Sequence, residues 1–460
     1  MKAVRIKVEP FDEILILSYN GVFQINEHGY VRLSGVIPES KRDSYLQKAM
    51  DETWVRITVC DEEEDERPLF YGVLKGFSIQ PGIDGSRMEL LLYTGTWLMD
   101  QDKHKRSFQK SGYTYKEVAD CCQEGYSQPG MIMTEGKDTA IPGFLMQYGE
   151  SDWRFLKRVA SSLHTVLVPA SYIPGEKFFF GLPQKQVKGK LDTKNYMISR
   201  SDGSHLDENG QYPLSGLSYI VRSRDIYFLG DTVSFNGQEY CVGKLETSLD
   251  GSELWHTYHL IKRSALDIPR SYNREMTGLS LLGRIQAVEG EQVKMAIDVD
   301  ENRQGRTCWF PFSTVYSSPD GAGWYCMPEI GDAVRLYFPT EDEMDAYVTS
   351  AYHEEQGHGI RVDPSHKIWR NKVGKEIRLT PEMILVTNNK GMSVRLSDRE
   401  GIKISSDASI TIEATGDIKI SSANASLEMS ASNKIGFSQG DTRMELADSI
   451  KMSGATIKMQ

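Results

Sequence analysis

Apolar residues in the last part of the chain come in pairs separated by one residue, and the pairs recur every six to nine positions. Because side chains two residues apart share one face of a β-strand, each pair predicts a short strand with one apolar face. The Ser, Asn, Asp, Gly and Thr residues between the pairs favour turns. This repeat predicts a β-helix or β-prism over residues 375–460. The pairs are Ile402 and Ile404, Ile410 and Ile412, Ile418 and Ile420, Leu427 and Met429, Ile435 and Phe437, Met444 and Leu446, Ile450 and Met452, and Ile457 and Met459.

One chain is too small to bury the apolar face of this repeat. A coil with about eight residues per strand encloses no core of its own, so other chains have to cover its apolar side chains. The simplest arrangement is three identical chains wound together, with one apolar face from each chain on a common axis. We therefore expect an intertwined homotrimer. The expected residues of the trimer core are Ile402, Ile404, Ile410, Ile412, Ile418, Ile420, Leu427, Met429, Ile435, Phe437, Met444, Leu446, Ile450 and Met452.

The alternation continues to the end of the sequence without a turn or a charged cap. Three such chains present open sheet edges and the end of an apolar axis, which proteins normally cover or blunt. We therefore expect a separate tip protein to dock at this end. The expected docking residues are Ile457, Lys458, Met459 and Gln460.

The region before the repeat predicts a small barrel. Five short strand-like segments fall within residues 276–352, which suits a Greek-key barrel of the OB type. Its third segment contains Trp309 and Phe310 without interleaved basic groups, which favours core or interface aromatics over nucleic-acid stacking. Residues 353–374 are expected to be a linker. The five predicted strands are residues 279–288, 293–299, 308–312, 332–338 and 346–352.

Residues 1–275 read as strand-rich segments that flank a middle region with two helix candidates. The first candidate covers residues 115–124. The second begins near Ser151 or Asp152, either of which can cap a helix. The spacing of Trp153, Leu156, Ala160 and Leu163 then predicts an apolar stripe that packs in a core. The sequence as a whole therefore predicts a mainly β protein with short helices.

Composition and charge narrow the function. The formal net charge is −11 and the sequence pI is about 5.5, which argues against nucleic acid as a partner. The six cysteines form no CxxC pair, so we expect reduced thiols. The N-terminal residues lack the apolar core of a signal peptide, and eighteen apolar residues nowhere run together. We expect the chain to fold in the cytoplasm, and we expect any contact with a membrane to be mechanical or to be made by a partner protein.

Known catalytic and metal motifs are not found. His353 and His358 are five residues apart, whereas a zinc-protease helix needs a spacing of four. The segment that starts at Asp298 has Arg303 where a calcium loop requires glycine. No phosphate-binding loop, dinucleotide fingerprint or nucleophile elbow occurs. We expect no enzymatic activity and no cofactor.

Three segments resemble a known family. Residues 147–158 resemble its Q-x-x-E-S-D-x-x-F-x-x-R motif, residues 328–334 its P-E-x-G-D-x-V motif, and residues 346–352 its closing barrel strand. The family is that of hub and spike proteins, which includes the valine-glycine repeat protein G (VgrG) of type VI secretion and the late control protein D of contractile phage tails. The matching motif residues are Gln147, Glu150, Ser151, Asp152, Trp153, Phe155 and Arg158.

The resemblance implies a homotrimer with two similar barrels per chain in residues 1–275. Six such barrels would match a hexameric tail-tube protein. An OB-fold barrel in residues 276–352 would then lead into a triple-stranded β-helix needle in residues 375–460. The implied partners also include a PAAR-like tip protein, other baseplate proteins and effector cargo. The repeat here is Ile-x-Ile instead of valine-glycine, and the 22 residues (375 − 353) between barrel and needle leave no room for a lytic domain.

The resemblance implies a structural spike and hub of a contractile injection machine, in a phage tail, a tailocin or a type VI-like system. The alternative is a trimeric phage tailspike that binds or cleaves envelope glycans. Glycan-cleaving solenoids use larger coils with aromatic and acidic grooves. The repeat of residues 401–460 contains one aromatic residue, Phe437, which favours the spike.

Overall fold

A computed structural model describes residues 5–50, 53–60, 66–83, 85–201, 216–302, 308–353, 359–446, 448–453 and 456. Packing divides the chain into two units, Met1–Glu354 and Glu355–Gln460. Strands form most of the regular structure in both units, and the helices are short. The prediction of a mainly β protein is therefore confirmed.

The first unit begins with six strands and one short helix. The helix α1 (Arg42–Lys48) was not expected from the sequence, because it has only two turns and buries a single side chain, that of Tyr45. The six strands lie side by side in the order β1-β4-β5-β6-β3-β2. Their bounds are β1 (Arg5–Glu9), β2 (Leu15–Gln24), β3 (Tyr30–Ile37), β4 (Trp54–Cys60), β5 (Glu66–Gln80) and β6 (Ser86–Thr94).

The middle region contains both predicted helices. Thr114 and Glu117 form a capping box at the start of α2. This helix ends at Cys121, earlier than predicted, because the amides of Gln123 and Glu124 bond to carbonyls three residues back and tighten the turn. The bounds are β7 (Lys103–Phe108), α2 (Tyr115–Cys121), β8 (Gly130–Met133), β9 (Leu145–Ser151), α3 (Asp152–Ser161), β10 (Leu167–Pro169) and β11 (Lys177–Phe180).

Six further strands complete a twelve-stranded sheet. They lie in the order β12-β15-β16-β17-β14-β13, and β16 pairs with β2 to join them to the first six. The buried side chains of both sets form one continuous core. The bounds are β12 (Val187–Leu191), β13 (Tyr196–Ser201), β14 (Gly216–Ser223), β15 (Thr232–Phe235), β16 (Gln238–Asp250) and β17 (Glu253–Ile261).

The two sets of six strands share one topology. In each set the first strand is followed across the sheet by the fourth, fifth, sixth, third and second. Each long fifth strand also has a register shift at the same place, between Leu74 and Gly76 in β5 and between Val242 and Lys244 in β16. The sets differ at one end, where β1 and β4 are antiparallel but β12 and β15 are parallel. The assignment of residues 1–275 as a tail hub stays a prediction.

A separate five-stranded sheet follows in the order β20-β19-β18-β21-β22. All five predicted strands are present, although the third is reduced to two residues. A bridge between Phe312 and Val348 brings the end beside β20 to β22, so the sheet curls back on itself. Its core includes Phe144 and Met146 from the middle region. The bounds are β18 (Ser280–Glu289), β19 (Gln292–Ile297), β20 (Phe310–Pro311), β21 (Ala333–Tyr337) and β22 (Tyr347–Tyr352).

The second unit consists of two antiparallel meanders in which each strand pairs with the next. The first meander begins at Lys367, inside the segment predicted as a linker, so that linker prediction is wrong for its last residues. Tight turns such as Asn389, with φ of 52°, let each strand fold back on the one before. The bounds are β23 (Lys367–Arg370), β24 (Glu376–Leu379), β25 (Met383–Thr387), β26 (Ser393–Ser397), β27 (Gly401–Ser405), β28 (Ile435–Gln439), β29 (Thr442–Leu446) and β30 (Ile450–Ser453).

Residues 406–434 separate the two meanders and form no strand within the chain. The expectation of evenly repeated strands is therefore not confirmed for this part of a single chain. Strands exist only where a backbone partner is present, and here the chain offers none. Three of the predicted pairs fall in this segment, namely Ile410 and Ile412, Ile418 and Ile420, and Leu427 and Met429.

Candidate functional site

The family-like motif lies where β9 passes directly into α3. Ser151 is the N-cap of the helix, and its hydroxyl accepts a hydrogen bond from the Arg154 amide at 3.2 Å. The same hydroxyl bonds to the Asp100 carboxylate. Of the two capping candidates, Ser151 is therefore the one that caps, and Asp152 is the first helical residue.

Asp152 is the centre of a buried polar cluster. Its carboxylate accepts hydrogen bonds from Arg106 Nη1 at 2.6 Å, from Gln147 Nε2 at 3.0 Å and from the Tyr126 hydroxyl at 2.8 Å. The side chain is 1% exposed. Because three donors and one positive charge compensate its burial, this carboxylate fixes the start of α3 against β7 and the loop after α2.

Arg158 forms a second buried cluster one and a half turns further along α3. Its Nε and Nη2 contact the Glu150 carboxylate at 3.0 and 2.8 Å, and its Nη1 bonds to Glu343. Nη2 also donates to the carbonyl of Met146 at 2.8 Å. Burial opposes the charge on Arg158, but the two carboxylates outweigh it, and the pKa of the guanidinium is raised. Arg158 therefore stays charged and ties α3 to the loop before β22.

A third set of contacts joins β7 to the segment after β19. The Ser107 amide donates to Asp300 at 2.7 Å, and the Lys105 amide donates to Glu301 at 2.8 Å. His104 Nδ1 lies 2.9 Å from the other carboxylate oxygen of Glu301. Together with the Arg158 cluster, these contacts fasten the middle region to the five-stranded sheet at two places.

The two aromatic residues of the motif pack in the core. The Trp153 indole donates to the carbonyl of Asn26 at 3.1 Å, which connects α3 to the end of β2. The Phe155 ring stacks on Phe108 with 5.5 Å between centroids. The predicted stripe is buried at Trp153, Leu156 and Ala160, whereas Leu163 is half-buried beyond the helix. The motif residues thus hold elements together.

Two cysteine thiols, Cys121 and Cys122, lie in the same region and are not activated. Burial raises the pKa of the Cys121 and Cys122 thiols, although Arg106 partly opposes the effect. A thiol with a raised pKa is a poor nucleophile at neutral pH. All six cysteines are free of disulfides in this structure. Within the described ranges no group of His, Cys, Asp and Glu side chains has the geometry of a metal site.

A cleft of about 840 Å³ opens beside α3. Its lining combines the cations Arg154, Lys157 and Arg274 with the carboxylates Glu275 and Glu341. Because both signs of charge are present, the lining favours no single class of charged ligand.

The first meander of the second unit exposes a continuous aliphatic face. The strand register places two rows of side chains across it, and their members are directly opposite one another on neighbouring strands. Exposure reaches 72% at Ile402 and 58% at Ile404. The first row is Ile377, Val386, Val394 and Ile404, and the second is Leu379, Ile384, Leu396 and Ile402.

The second meander has a similar register. Ile435 lies opposite Leu446, which lies opposite Ile450, and Phe437 lies opposite Met444, which lies opposite Met452. The predicted core positions Ile435, Phe437, Met444 and Leu446 therefore share one face of the second meander, and Ile402 and Ile404 share one face of the first, as the alternation predicted. The predicted tip-docking residues Ile457, Lys458, Met459 and Gln460 lie outside the described residues. No helix among the described residues is long and apolar enough to span a membrane.

The partners of the motif were not found from the sequence. Glu343 lies 185 residues from Arg158, and Asp300 lies 193 residues from Ser107. Glutamate and aspartate are common throughout the chain, so nothing in the neighbouring sequence distinguished these two residues. The topological repeat of the large sheet was likewise not visible in the amino-acid pattern.

The fold is of the multi-sheet class found in phage tail and type VI secretion proteins. It consists of the twelve-stranded sheet, the curled five-stranded sheet and the C-terminal meanders. The fold is similar to that of a chain in the half-lidded PdpA–VgrG complex of Francisella, with a TM-score of 0.58 over 88% of each chain and 8% identity. It is also similar to the Escherichia coli c3393 protein, with a TM-score of 0.54, 14% identity, and coverage of 76% of this chain and 100% of that chain.

That E. coli protein is described as a component of the type VI secretion system with structural similarity to the T4 bacteriophage tail proteins gp27 and gp5. The lidless state of the Francisella complex gives a TM-score of 0.57 at 9% identity, over 88% of this chain and 98% of that chain. The sequence matches no protein-family model and no curated protein sequence. The chain is therefore similar in fold to type VI secretion proteins, at low sequence identity.

Proposed function

We propose that this chain is the central hub and spike of a contractile injection machine and works as a homotrimer without enzymatic activity. The observation that carries the proposal is the exposed aliphatic face of the second unit. Two rows of four aliphatic side chains lie on one face of a single sheet that has no second layer within the described residues of this unit. Such a face requires a cover in water.

Other copies of the same chain are the proposed cover. The apolar rows run straight across the meander, so three identical faces can meet on one axis and exclude water along its length. Residues 406–434 have no strand partner in their own chain, and neighbouring copies would supply the backbone hydrogen bonds that they lack. The result is a three-chain needle in which the isoleucine pairs form the core.

The first unit is proposed to be the hub. Residues 1–275 would dock on a hexameric tail-tube protein, because two six-stranded sets per chain give six in a trimer. The curled sheet of β18 to β22 would be an OB-fold barrel at the base of the needle. The buried Arg158 cluster would hold it to the hub during the mechanical load of injection.

Further partners complete the proposal. Other baseplate proteins would surround the hub, and effector cargo would travel with it. A PAAR-like tip protein would cover the C-terminal end of the needle at Ile457, Lys458, Met459 and Gln460. Assembly would take place in the cytoplasm, and the particle would meet a membrane only when the tip punctures it.

Native mass measurement of the full chain tests this proposal. A trimer has an expected mass of about 156 kDa, three times the 52.0 kDa of one chain. Co-expression with a tube protein should then yield a complex that contains three copies of this chain. A monomer in which residues 401–460 resist proteolysis would contradict the proposal. Binding or cleavage of envelope glycans by the trimer would instead favour the tailspike alternative.

A further inference from the structure

The two six-stranded sets of the large sheet can be aligned residue by residue. The Leu74 amide in β5 donates to the carbonyl of Thr53 at 2.9 Å, and the Val242 amide in β16 donates to the carbonyl of Asp231 at 2.9 Å. Thr53 precedes β4 and Asp231 precedes β15, so these two bonds are equivalent. The register shift follows at once in both strands, which makes Gly76 the counterpart of Lys244.

Beyond the register shift, the two strands differ in their neighbours. In β16, residues 244–248 pair with β17 on one side and with residues 20–24 of β2 on the other. In β5, the counterpart residues 76–80 pair with β6 on one side. Within the described parts of the chain, no strand occupies the other side of this segment. The first set therefore has an open edge where the second set holds β2.

The strand that corresponds to β2 is β13. Tyr19 of β2 lies opposite Leu33 of β3, and Tyr196 of β13 lies opposite Val221 of β14. Among the described strands, β13 pairs with β14 alone. Its residues Met197 and Ile198 are 60% and 54% exposed. The second set thus has an unpaired edge strand that is equivalent to the strand missing from the open edge of β5.

We propose that β13 of one copy pairs antiparallel with residues 76–80 of β5 in a second copy of this chain. The pairing of β2 with β16 supplies the template, because Glu246 lies opposite Val22 there. Transferred to the equivalent strands, that register places Ser199 opposite Ser78 and, by the same shift, Ile198 opposite Ile79. The inference rests on the proposed trimer and states how its hub closes.

The side chains fit this register. Ile79 packs at the margin of the main core, and Ile198 lies on the same face of β13 as Tyr196, whose ring packs on Phe235 with 5.3 Å between centroids. The pairing would therefore place two partly uncovered isoleucines opposite each other on the core side. Ser78 and Ser199 are exposed and lie on the other side. Both edges would gain backbone hydrogen-bond partners. An edge strand without such a partner is prone to non-specific pairing with other chains.

The proposed pairing is also compatible with a closed ring of copies. The contact joins different surfaces of the two copies, so it generates either a ring or an open filament. In a trimer, junctions within a chain would alternate with junctions between chains, and six equivalent junctions would complete the ring. In a ring of three copies, each β13 edge and each open β5 edge therefore has a partner strand.

Cysteine cross-linking of the full chain tests the register. We expect the double variant Ser78→Cys with Ser199→Cys to form covalent trimers under mild oxidation, seen on a denaturing gel without reductant. An equimolar mixture of the two single variants should give covalent dimers, and either single variant alone should give neither product. The pair Gln80→Cys with Met197→Cys belongs to the same register and should behave in the same way.

A matched control uses the neighbouring strand. Ser218 lies opposite Ser199 on β14, one strand further from the junction. Adjacent strands are about 4.8 Å apart, so a cysteine there is too distant from position 78 for a disulfide. Ser78→Cys with Ser218→Cys should therefore give no cross-link. A trimer of native mass in which both designed pairs fail to cross-link would overturn the edge pairing and leave the proposed function standing. A monomer would overturn both.

Discussion

The two units of the chain use the same alternation of apolar and polar residues with opposite outcomes. In β6 of the first unit, Met88, Leu90 and Leu92 alternate with polar or half-exposed positions, and all three are buried. In β27 of the second unit, Ile402 and Ile404 alternate in the same way, and both are exposed. Alternation therefore identifies the face of a strand that needs cover. It does not say whether the cover comes from the same chain.

This difference has a thermodynamic consequence. The first unit buries most of its aromatic and aliphatic side chains within one chain, so its free energy of unfolding should depend less on protein concentration than that of the second unit. The second unit exposes its apolar face within one chain. If copies associate over that face, the stability of the assembled form should rise with concentration.

The largest effect is expected from Ile410→Asp in the segment between the two meanders. Each copy would lose about 1.5 to 3 kcal/mol of side-chain burial, and three copies would bring three carboxylates together on the axis. We expect the needle to dissociate or fray, measured as loss of the trimer mass and rapid proteolysis of residues 401–460. The first unit should keep its unfolding transition.

The control for this substitution is Thr411→Asp at the next position. Thr411 is exposed and alternates with the two isoleucines, so it would belong to the opposite face of the proposed strand. A charge there should stay in water and leave the trimer intact. Equal loss of trimer in both variants would contradict the assignment of Ile410 to the core.

The second largest effect is expected from Arg158→Met in the first unit. This substitution leaves the buried carboxylates of Glu150 and Glu343 without their cation, which costs about 3 to 5 kcal/mol. The unfolding midpoint in urea, followed by tryptophan fluorescence, should fall at every protein concentration. Six of the seven tryptophans lie in the first unit, so fluorescence reports mainly on it.

Arg42→Met is the matched control for the buried arginine. Arg42 also contacts two carboxylates, those of Glu39 and Asp43, but all three side chains are exposed. Surface ion pairs contribute about 0 to 1 kcal/mol. A similar loss in both variants would mean that the Arg158 cluster does not depend on burial.

Much of the fold could be predicted where the signal was local. Ser151 and the apolar stripe after it predicted α3, and alternation predicted the strands of the five-stranded sheet and the shared face of the C-terminal pairs. These features depend on spacings of two to four residues, which a single sequence displays directly.

The features that could not be predicted from the sequence depend on residues that are far apart in the chain. The Arg158 cluster joins residues 185 positions apart, and its acidic members resemble any surface carboxylate in the sequence. Residues 406–434 showed a strand pattern but form no strand in the chain, because a strand also needs a backbone partner. The shared topology of the two sets of six strands resides in connectivity, which the amino-acid pattern did not reveal.

A third effect concerns pH and is confined to the first unit. His256 in β17 is buried and shares a hydrogen bond of 2.9 Å with the hydroxyl of Thr247. Burial lowers its pKa from 6.5 to about 4. The folded protein therefore binds this proton less readily than the unfolded chain. The resulting stability is complete above pH 6.5 and is lost as the pH falls toward 4.

The pH effect can be isolated by comparison with His256→Gln, which keeps a hydrogen-bonding side chain but does not titrate. A difference of 2.5 pKa units (6.5 − 4) corresponds to about 3 kcal/mol at 1.36 kcal/mol per unit. The free energy of unfolding of the natural chain should fall by about that much more than that of the variant between pH 6.5 and 4. Parallel pH profiles would show that His256 titrates normally.

The smallest effect is expected at the edge strand β13 of the large sheet. The contrast between the two units does not hold there, because β13 belongs to the first unit but also exposes apolar side chains. If Ile198 faces Ile79 of a second copy, Ile198→Lys places a charge at a partly buried junction and should weaken each junction by about 1 kcal/mol. Met197→Lys, on the other face of the same strand, should have little effect. Dilution followed by mass photometry measures the difference, as trimers of Ile198→Lys should dissociate at a higher concentration than those of Met197→Lys. The reverse order would assign the outward face of β13 to the contact and require a register shifted by one residue.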